Sequence, residues 1–268
     1  MWDRTVDVLQ GRTGILAAIA ILYIFVPGVV SGLVRALATP GSALAIASGL
    51  VALLTGILLI CGMLALTAVA SDPTVDRATG NAIAWRRLPA ALGVLVLLFL
   101  AVAIAIAPIM LLLFKSGAVY NPGTGRFDMT RADPSMGMWA GLLSILFLVV
   151  GLWISAKLAP LFAVIVNERL GLGAFVRSFR LTRGAALRLV GVLILYGIVT
   201  IVLVWAVTMV VGVVARLLLG GDAPVALAFV IGIANAVVTC LATVVQTVFY
   251  AQFYVAARDA SEGYDPVA

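Results

Sequence analysis

The chain has 268 residues, of which 64% are hydrophobic and only 10% are charged, and its mean hydropathy is +1.24. Because soluble domains are about half apolar and about a quarter charged, this composition excludes a soluble globular protein. The net charge is +6 at pH 7, and the sequence contains no histidine, which removes the commonest general base and the commonest metal ligand together.

Six apolar stretches are long enough to cross a bilayer, which takes about 20 helical residues. They cover residues 14–34, 43–70, 89–114, 137–158, 189–215 and 223–257. The first stretch is longer than the apolar region of a signal peptide, so we expect it to be retained. We therefore predict an all-α fold, a polytopic membrane helical bundle of six transmembrane helices that forms a single domain.

The distribution of basic residues predicts the orientation of these spans. With the N-terminus inside, twelve of the 17 Lys and Arg residues lie on the inner side. Because Lys and Arg are enriched in cytoplasmic loops, we predict that both termini are cytoplasmic. This orientation gives inner loops at 71–88 and 159–188 and one extended outer loop at 115–136. The expected location is the bacterial inner (cytoplasmic) membrane.

Both inner loops have a helical pattern, and each is predicted to form a cytoplasmic amphipathic helix, here called an elbow. In the second elbow, apolar side chains recur at helical spacing: Leu172, Phe175, Val176 and Phe179. Arginines follow another face and continue towards the fifth span: Arg177, Arg180, Arg183 and Arg188. A basic amphipathic helix lies in the membrane interface, so we predict that these arginines contact lipid headgroups. Orientation by positive charge alone is the other interpretation.

The outer loop contains a predicted hairpin, in which residues 119–120 and 126–127 flank a turn at 121–125. The loop also contains two carboxylates after the hairpin, Asp128 and Asp133. Two aspartates without a third ligand make a poor calcium or magnesium site, so we expect a solvated loop and no metal.

The sixth span carries a stripe of polar side chains at spacings of three or four residues, which places them on one helix face. This polar stripe consists of Asn235, Thr239, Thr243, Gln246, Tyr250 and Tyr254. Because an unpaired polar group in hydrocarbon costs several kcal/mol, the stripe is expected to avoid lipid. It either joins helices by hydrogen bonds or lines a crevice for a lipid headgroup or substrate.

Three further features of the spans predict how individual side chains are placed. Lys157 is the most interior charge, and we predict that it snorkels towards the inner surface. Gly28-x-x-x-Gly32 in the first span indicates close helix packing. Cys61 and Cys240 lie in apolar runs without a CxxC neighbour, so they are expected to be buried small hydrophobes.

Enzymatic interpretations find no support in the sequence. A Ser-His-Asp triad is impossible without histidine, and no GxSxG, Walker-type or HExxH motif is present. Ser155 and Lys157 are two residues apart on a helix and do not face each other, so they make a poor dyad. We predict that the protein is not an enzyme and has no catalytic residue, cofactor or metal.

Two segments resemble a known family. Residues 174–184 (AFVRSFRLTRG) lead directly into the apolar stretch 189–195, and Tyr254-x-x-x-Arg258 is followed by EGYD at 262–265. These segments resemble the membrane domain of some bacterial glycerophosphoryl diester phosphodiesterases and its stand-alone six-helix relatives. In those enzymes, a separate soluble barrel domain with histidine and carboxylate-bound metal performs the chemistry. The resemblance therefore implies a membrane architecture without phosphodiesterase activity and supplies no catalytic residue.

Two functional hypotheses follow. The first is a non-enzymatic inner-membrane protein that binds membrane lipids or partner proteins through its basic elbows. The alternative is a transporter or lipid-translocating protein with a crevice lined by the polar stripe. The expected partners are membrane phospholipids, another membrane protein or a second copy of this chain, and no nucleic acid.

Overall fold

A computed structural model describes residues 2–38, 42–121, 126–128, 133–219 and 224–262. Residues 122–125 of the predicted hairpin turn, the first residue of the sixth predicted span and residues 263–265 of the family-like motif lie outside these ranges. In chain order, the elements are α1 (Trp2–Gly11), α2 (Thr13–Ala20), a π-helical turn (Ile21–Phe25), α3 (Val26–Leu37), α4 (Ala43–Ser71), α5 (Arg77–Lys115), β1 (Val119–Asn121), β2 (Arg126–Asp128), α6 (Pro134–Lys157), α7 (Leu161–Asn167), α8 (Gly173–Leu181), α9 (Ala186–Leu219) and α10 (Pro224–Glu262).

Six helical segments in the described ranges are long and apolar enough to span a membrane. The first joins α2, the π-helical turn and α3 into one segment, and the fourth combines α6 with α7. The predicted all-α membrane bundle with six spans is confirmed. The π-helical turn lies directly before Pro27, whose missing N–H interrupts the regular hydrogen-bond ladder of the first span.

The first elbow was predicted to be a separate helix, but in the structure it is continuous with the third span. Asp76 caps the N-terminus of α5 by accepting a 2.8 Å hydrogen bond from the backbone N–H of Thr79. From Arg77 the helix continues through Pro89 into the third span without a break. A proline inside a membrane helix removes one hydrogen bond without ending the helix, so the elbow becomes an extension of α5. The second elbow does contain a separate helix, α8.

The predicted inner loop 159–188 begins inside the core, which corrects its assignment as a loop. Pro160 separates α6 from α7, and five of the seven residues of α7 are buried. Residues 161–166 are an uninterrupted apolar run, so burying them against α4 and α5 is favourable. The polar elbow starts only after Asn167, where α7 ends.

The buried core lies mainly in the half of the bundle that carries the elbows. In α4, every residue from Cys61 to Ala70 except Met63 is buried, whereas the residues nearer Ala43 are partly or fully exposed. The core continues into α7 and α10, where Val164 and Val248 are fully buried. Dense packing fixes side-chain positions, so this half forms a rigid support for the surface above it.

Close helix packing occurs at Gly62, not at the Gly28-x-x-x-Gly32 motif. Neither glycine of that motif has an atom within 4 Å of an added Cβ, whereas a Cβ on Gly62 would lie 2.7 Å from the Cβ of Tyr23. We expect Gly62→Ala to destabilise the bundle by about 1–3 kcal/mol, because the Tyr23 Cβ is attached directly to backbone.

Thermal unfolding in detergent tests this expectation, with Gly56→Ala in the same helix as the control. Gly56 has open space around it, so alanine there is expected to leave the melting temperature unchanged or to raise it slightly through better helix propensity. Equal melting temperatures for the two variants would contradict the packing described here.

The outer loop contains the predicted hairpin. Strands β1 and β2 pair antiparallel with Tyr120 opposite Phe127. Asp133, one of the two loop carboxylates, caps α6 by accepting 2.8 Å hydrogen bonds from the side chain and backbone N–H of Ser135. These two hydrogen bonds lower the pKa of Asp133 below its ordinary value.

Candidate functional site at the elbow face

The elbow face is the end of the bundle formed by residues 72–76 and 168–185. Helix α8 on this face has three different sides. Small residues four positions apart are buried against the bundle: Ala174, Ser178 and Thr182. Apolar side chains on a second side are exposed: Leu172, Val176 and Phe179. The arginines beside them, Arg180 and Arg183, are also exposed. The amphipathic pattern is therefore real: Leu172 and Val176 face away from the protein, and Phe179 is partly exposed, with its ring edge-on to that of Trp153 in α6 at 6.3 Å.

Phe175 departs from the predicted apolar face of the elbow. It is partly buried and packs against the hydrophobic core. The small residues at the bundle contact bring α8 close enough for this ring to reach the core. The exposed apolar side consequently has three members instead of the four that helical spacing suggested.

Arg177 is engaged within the protein, unlike its two neighbours in the predicted set. Its Nε donates to both carboxylate oxygens of Glu168 at 2.9 and 2.8 Å. The hydroxyl of Tyr254 in α10 donates to the same carboxylate at 3.2 Å. Both members of the ion pair are about three-quarters buried, with side-chain exposures of 27% and 22%. This triad links the middle of α8 to the last span through Glu168.

Arg188, the fourth predicted headgroup contact, lies exposed near the start of α9. It lines the rim of a cavity of about 590 Å³, together with Trp2 of α1. The cavity runs between α9 and α10 and is otherwise mostly apolar. Of the polar stripe, Gln246 and Tyr250 line it, and the Gln246 Nε2 donates to the Tyr250 hydroxyl at 2.8 Å.

At the other end of the polar stripe, Asn235 is paired within the protein, whereas the Thr239 side chain has no hydrogen bond to the residues that the structure describes. Asn235 and Thr208 of α9 bond to each other through their side chains at 3.0–3.1 Å. Thr243 donates to the backbone carbonyl of Thr239 at 2.8 Å, and the Thr239 side chain is exposed. With Tyr254 bound to Glu168, the stripe members other than Thr239 use their polar side chains for contacts at several separate places along α10.

Lys157 contradicts the snorkelling prediction. Only 9% of the residue is exposed, and its Nζ lies 5.5 Å from the centre of the Trp153 ring. Because α6 ends here and the chain continues into buried α7, the side chain does not reach the surface. A cation above an aromatic face is a favourable contact when desolvated, which partly offsets the cost of burial.

Sequence reasoning missed the residues that hold the end of α4. Arg12 follows α1, and its guanidinium donates to four backbone carbonyls on or after α4: those of Val69, Asp72, Pro73 and Val75. Buried Gln252 of α10 donates to the carbonyl of Ala70 at 2.7 Å. The last carbonyls of a helix lack partners within it, so these donors satisfy groups that would otherwise be orphaned. No local pattern signals such contacts, because the partners are distant in sequence.

Comparison of the chain with protein-family models, with curated proteins and with solved structures gives no match. The resemblance described above therefore stays a prediction. Fold and surface together define the class: an all-helical, multi-span membrane protein whose elbow face is rich in arginine.

Proposed function

We propose that this chain is a non-enzymatic protein of the bacterial inner membrane that binds anionic phospholipids through its elbow face. The observation that carries the proposal is the three-sided arrangement of α8. Exposed Leu172, Val176 and Phe179 supply an apolar surface for the acyl boundary, and exposed Arg180 and Arg183 lie beside them. Such a helix lies in the interface, where each arginine near an anionic leaflet contributes about 1 kcal/mol.

The attachment of α8 to the bundle supports this function. Its small-residue side is buried, and Arg177 ties it to Glu168. A helix that is already formed and positioned loses little conformational freedom on binding, which favours affinity. A protein partner or a second copy of the chain would use the same exposed surface. Lipid is the favoured ligand because α8 belongs to a chain that is itself embedded in the bilayer.

The transport alternative has weaker support. A crevice that handles a polar substrate needs polar groups free to contact it. In α10, however, Asn235 bonds to Thr208, Gln246 to Tyr250, and Tyr254 to Glu168. These hydrogen bonds favour the interpretation of the stripe as contacts between and along helices.

Native mass spectrometry of the detergent-solubilised protein, titrated with phosphatidylglycerol, tests the lipid proposal. We expect the double variant Arg180→Gln/Arg183→Gln to bind phosphatidylglycerol about 10–30-fold more weakly, because it removes two contributions of about 1 kcal/mol. Binding of zwitterionic phosphatidylcholine is expected to be unaffected.

Arg35→Gln/Arg216→Gln is the matched control for this titration. Both arginines are exposed and lie near the opposite end of the bundle, at the ends of α3 and α9. The control removes the same total charge but should leave phosphatidylglycerol affinity nearly unchanged. If both double variants lose affinity equally, α8 is not the lipid contact.

A further inference from the structure

A polar cavity of about 410 Å³ lies between the first and second elbows. Three arginines line it: Arg86 and Arg87 from α5, and Arg169 from the turn after α7. Asn167 and one carboxylate, Asp72, are also part of its wall. Two larger cavities have mainly apolar walls: one of about 550 Å³ between the N-terminal helices and α10, and the one of about 590 Å³ between α9 and α10. The polar cavity therefore differs from them in chemistry.

The three cavity arginines have no partner among the residues that the structure describes. The ion pairs found there join Arg177 to Glu168 and Arg258 to Asp259. The guanidinium of Arg12, which lies close by, donates its hydrogen bonds to backbone carbonyls. Arg86, Arg87 and Arg169 thus bring several free N–H donors and three positive charges to one concave surface, against the single charge of Asp72. Positive charges that line one cavity repel each other, and an anion bound among them would relieve this repulsion.

The backbone at Arg169 provides a second, independent observation. Its φ is +57°, and it is the one non-glycine residue with a positive φ in the described part of the chain. It directly follows Glu168, the C-cap of α7, at a position where helices usually place glycine. A side chain there costs about 1 kcal/mol, and such strain concentrates at ligand-binding sites.

We propose that Arg86, Arg87 and Arg169 bind a dianionic phosphate group in this cavity. Guanidinium groups match phosphate oxygens in geometry and form charge-assisted, often bidentate, hydrogen bonds with them. The group could be a lipid phosphomonoester or free inorganic phosphate, since both present the same oxygens. The site shares no residue with the lipid-contact surface of α8, so it does not depend on the proposed function.

Asp72 places a negative charge in the cavity wall, so it weakens phosphate binding. Removing this charge should raise the affinity, whereas removing an arginine should lower it. Its carboxylate accepts hydrogen bonds from the backbone N–H of Thr74 at 2.8 Å and from the Thr74 hydroxyl at 2.7 Å. These bonds lower the pKa of Asp72, so it is ionised at neutral pH. Asparagine keeps an acceptor oxygen for Thr74 but carries no charge. Asp72→Asn should therefore bind phosphate more tightly than the natural chain.

Isothermal titration calorimetry of the full chain in uncharged detergent tests the site, with two probes: inorganic phosphate and dihexanoyl phosphatidic acid. We expect saturable binding of at least one probe and a loss of affinity of about 10-fold or more in Arg87→Gln and in Arg169→Gly. Arg169→Gly retains the fold, because glycine adopts a positive φ without strain.

Arg77→Gln is the matched control, since Arg77 is exposed on the same helix but does not line the cavity. Its affinity should stay within about twofold of the natural chain, because exposed charges at a distance are largely screened by salt. The double variant Arg180→Gln/Arg183→Gln should also retain phosphate binding, which separates this site from the surface of α8.

The outcomes distinguish the sources of the phosphate. Preferential binding of phosphatidic acid, weakened by the cavity variants, supports the site and identifies a lipid headgroup. Preferential binding of inorganic phosphate with the same sensitivity supports the site and identifies a soluble ligand. Binding of neither probe would overturn the proposal. Equal losses in Arg77→Gln and Arg87→Gln would also overturn it, because general positive potential would then explain the binding.

Discussion

Arg12→Gln is expected to lower the free energy of unfolding by about 2–4 kcal/mol, since donors from a charged group are lost from acceptors in a partly buried site. The Arg12 guanidinium bonds to four carbonyls that follow one another at and beyond the end of α4. A glutamine amide carries two N–H donors, and its shorter side chain does not span this group of acceptors. The end of α4 and the loop to α5 would lose their link to the N-terminal segment.

Thermal unfolding in detergent measures the effect of Arg12→Gln. Arg12→Lys should give an intermediate loss, because a lysine ammonium keeps the charge but presents its donors from a single point. Arg4→Gln is the control, as Arg4 is exposed on neighbouring α1 and should tolerate replacement within about 0.5 kcal/mol. If Arg12→Gln and Arg4→Gln have the same melting temperature, the four contacts do not stabilise the fold.

Arg177→Gln is expected to destabilise the protein by about 1–2 kcal/mol, a value between those for exposed and fully buried ion pairs. The Arg177 Nε–H makes a bifurcated hydrogen bond to both oxygens of Glu168, and the pair is about three-quarters buried, so removing the cation leaves a poorly solvated carboxylate. Tyr254 would remain as its hydrogen-bond donor. Removing the charge from both partners in Glu168→Gln/Arg177→Gln should therefore cost less than the sum of the two single variants.

Hydrogen exchange over residues 173–181 gives the local readout for the ion pair. Amides of α8 should exchange faster in Arg177→Gln, because the helix loses its tie to α10. Arg180→Gln removes a charge from the exposed side of the same helix and should leave exchange unchanged. Equal exchange in all three proteins, or strictly additive destabilisation in the double variant, would contradict the role given to the pair.

The spans could be predicted from the sequence because long apolar runs are a local property. A helix in lipid must satisfy its own backbone, so hydropathy over about 20 residues is enough to identify it. Helix α7 was missed because its seven residues are too short for this criterion, and burial of Leu161 and its neighbours depends on the rest of the bundle. The first elbow does not form the separate helix that was predicted, because the hydrogen bond lost at Pro89 does not end a membrane helix.

The sites were predictable only in part, since they depend on tertiary contacts. The amphipathic side of α8 follows from helical spacing alone. Spacing did not reveal that Arg177 pairs with Glu168, or that Lys157 is buried beside Trp153. The phosphate cavity joins α5 to the turn after α7, segments separated by more than a complete span. Basic residues in separate loops were visible in the sequence, but their convergence was not.

The proposed lipid binding places the elbow face at the anionic cytoplasmic leaflet, and cysteine labelling tests this claim directly. The natural Cys61 and Cys240 are buried and would be replaced by alanine. Single cysteines are then placed at Arg183, which is exposed on the elbow face, and at Val119, which is exposed in β1. They report the two sides of the membrane. A membrane-impermeant maleimide should label Val119→Cys in intact cells and Arg183→Cys only in inverted vesicles. Labelling of Arg183→Cys in intact cells, with Val119→Cys protected, would contradict the account.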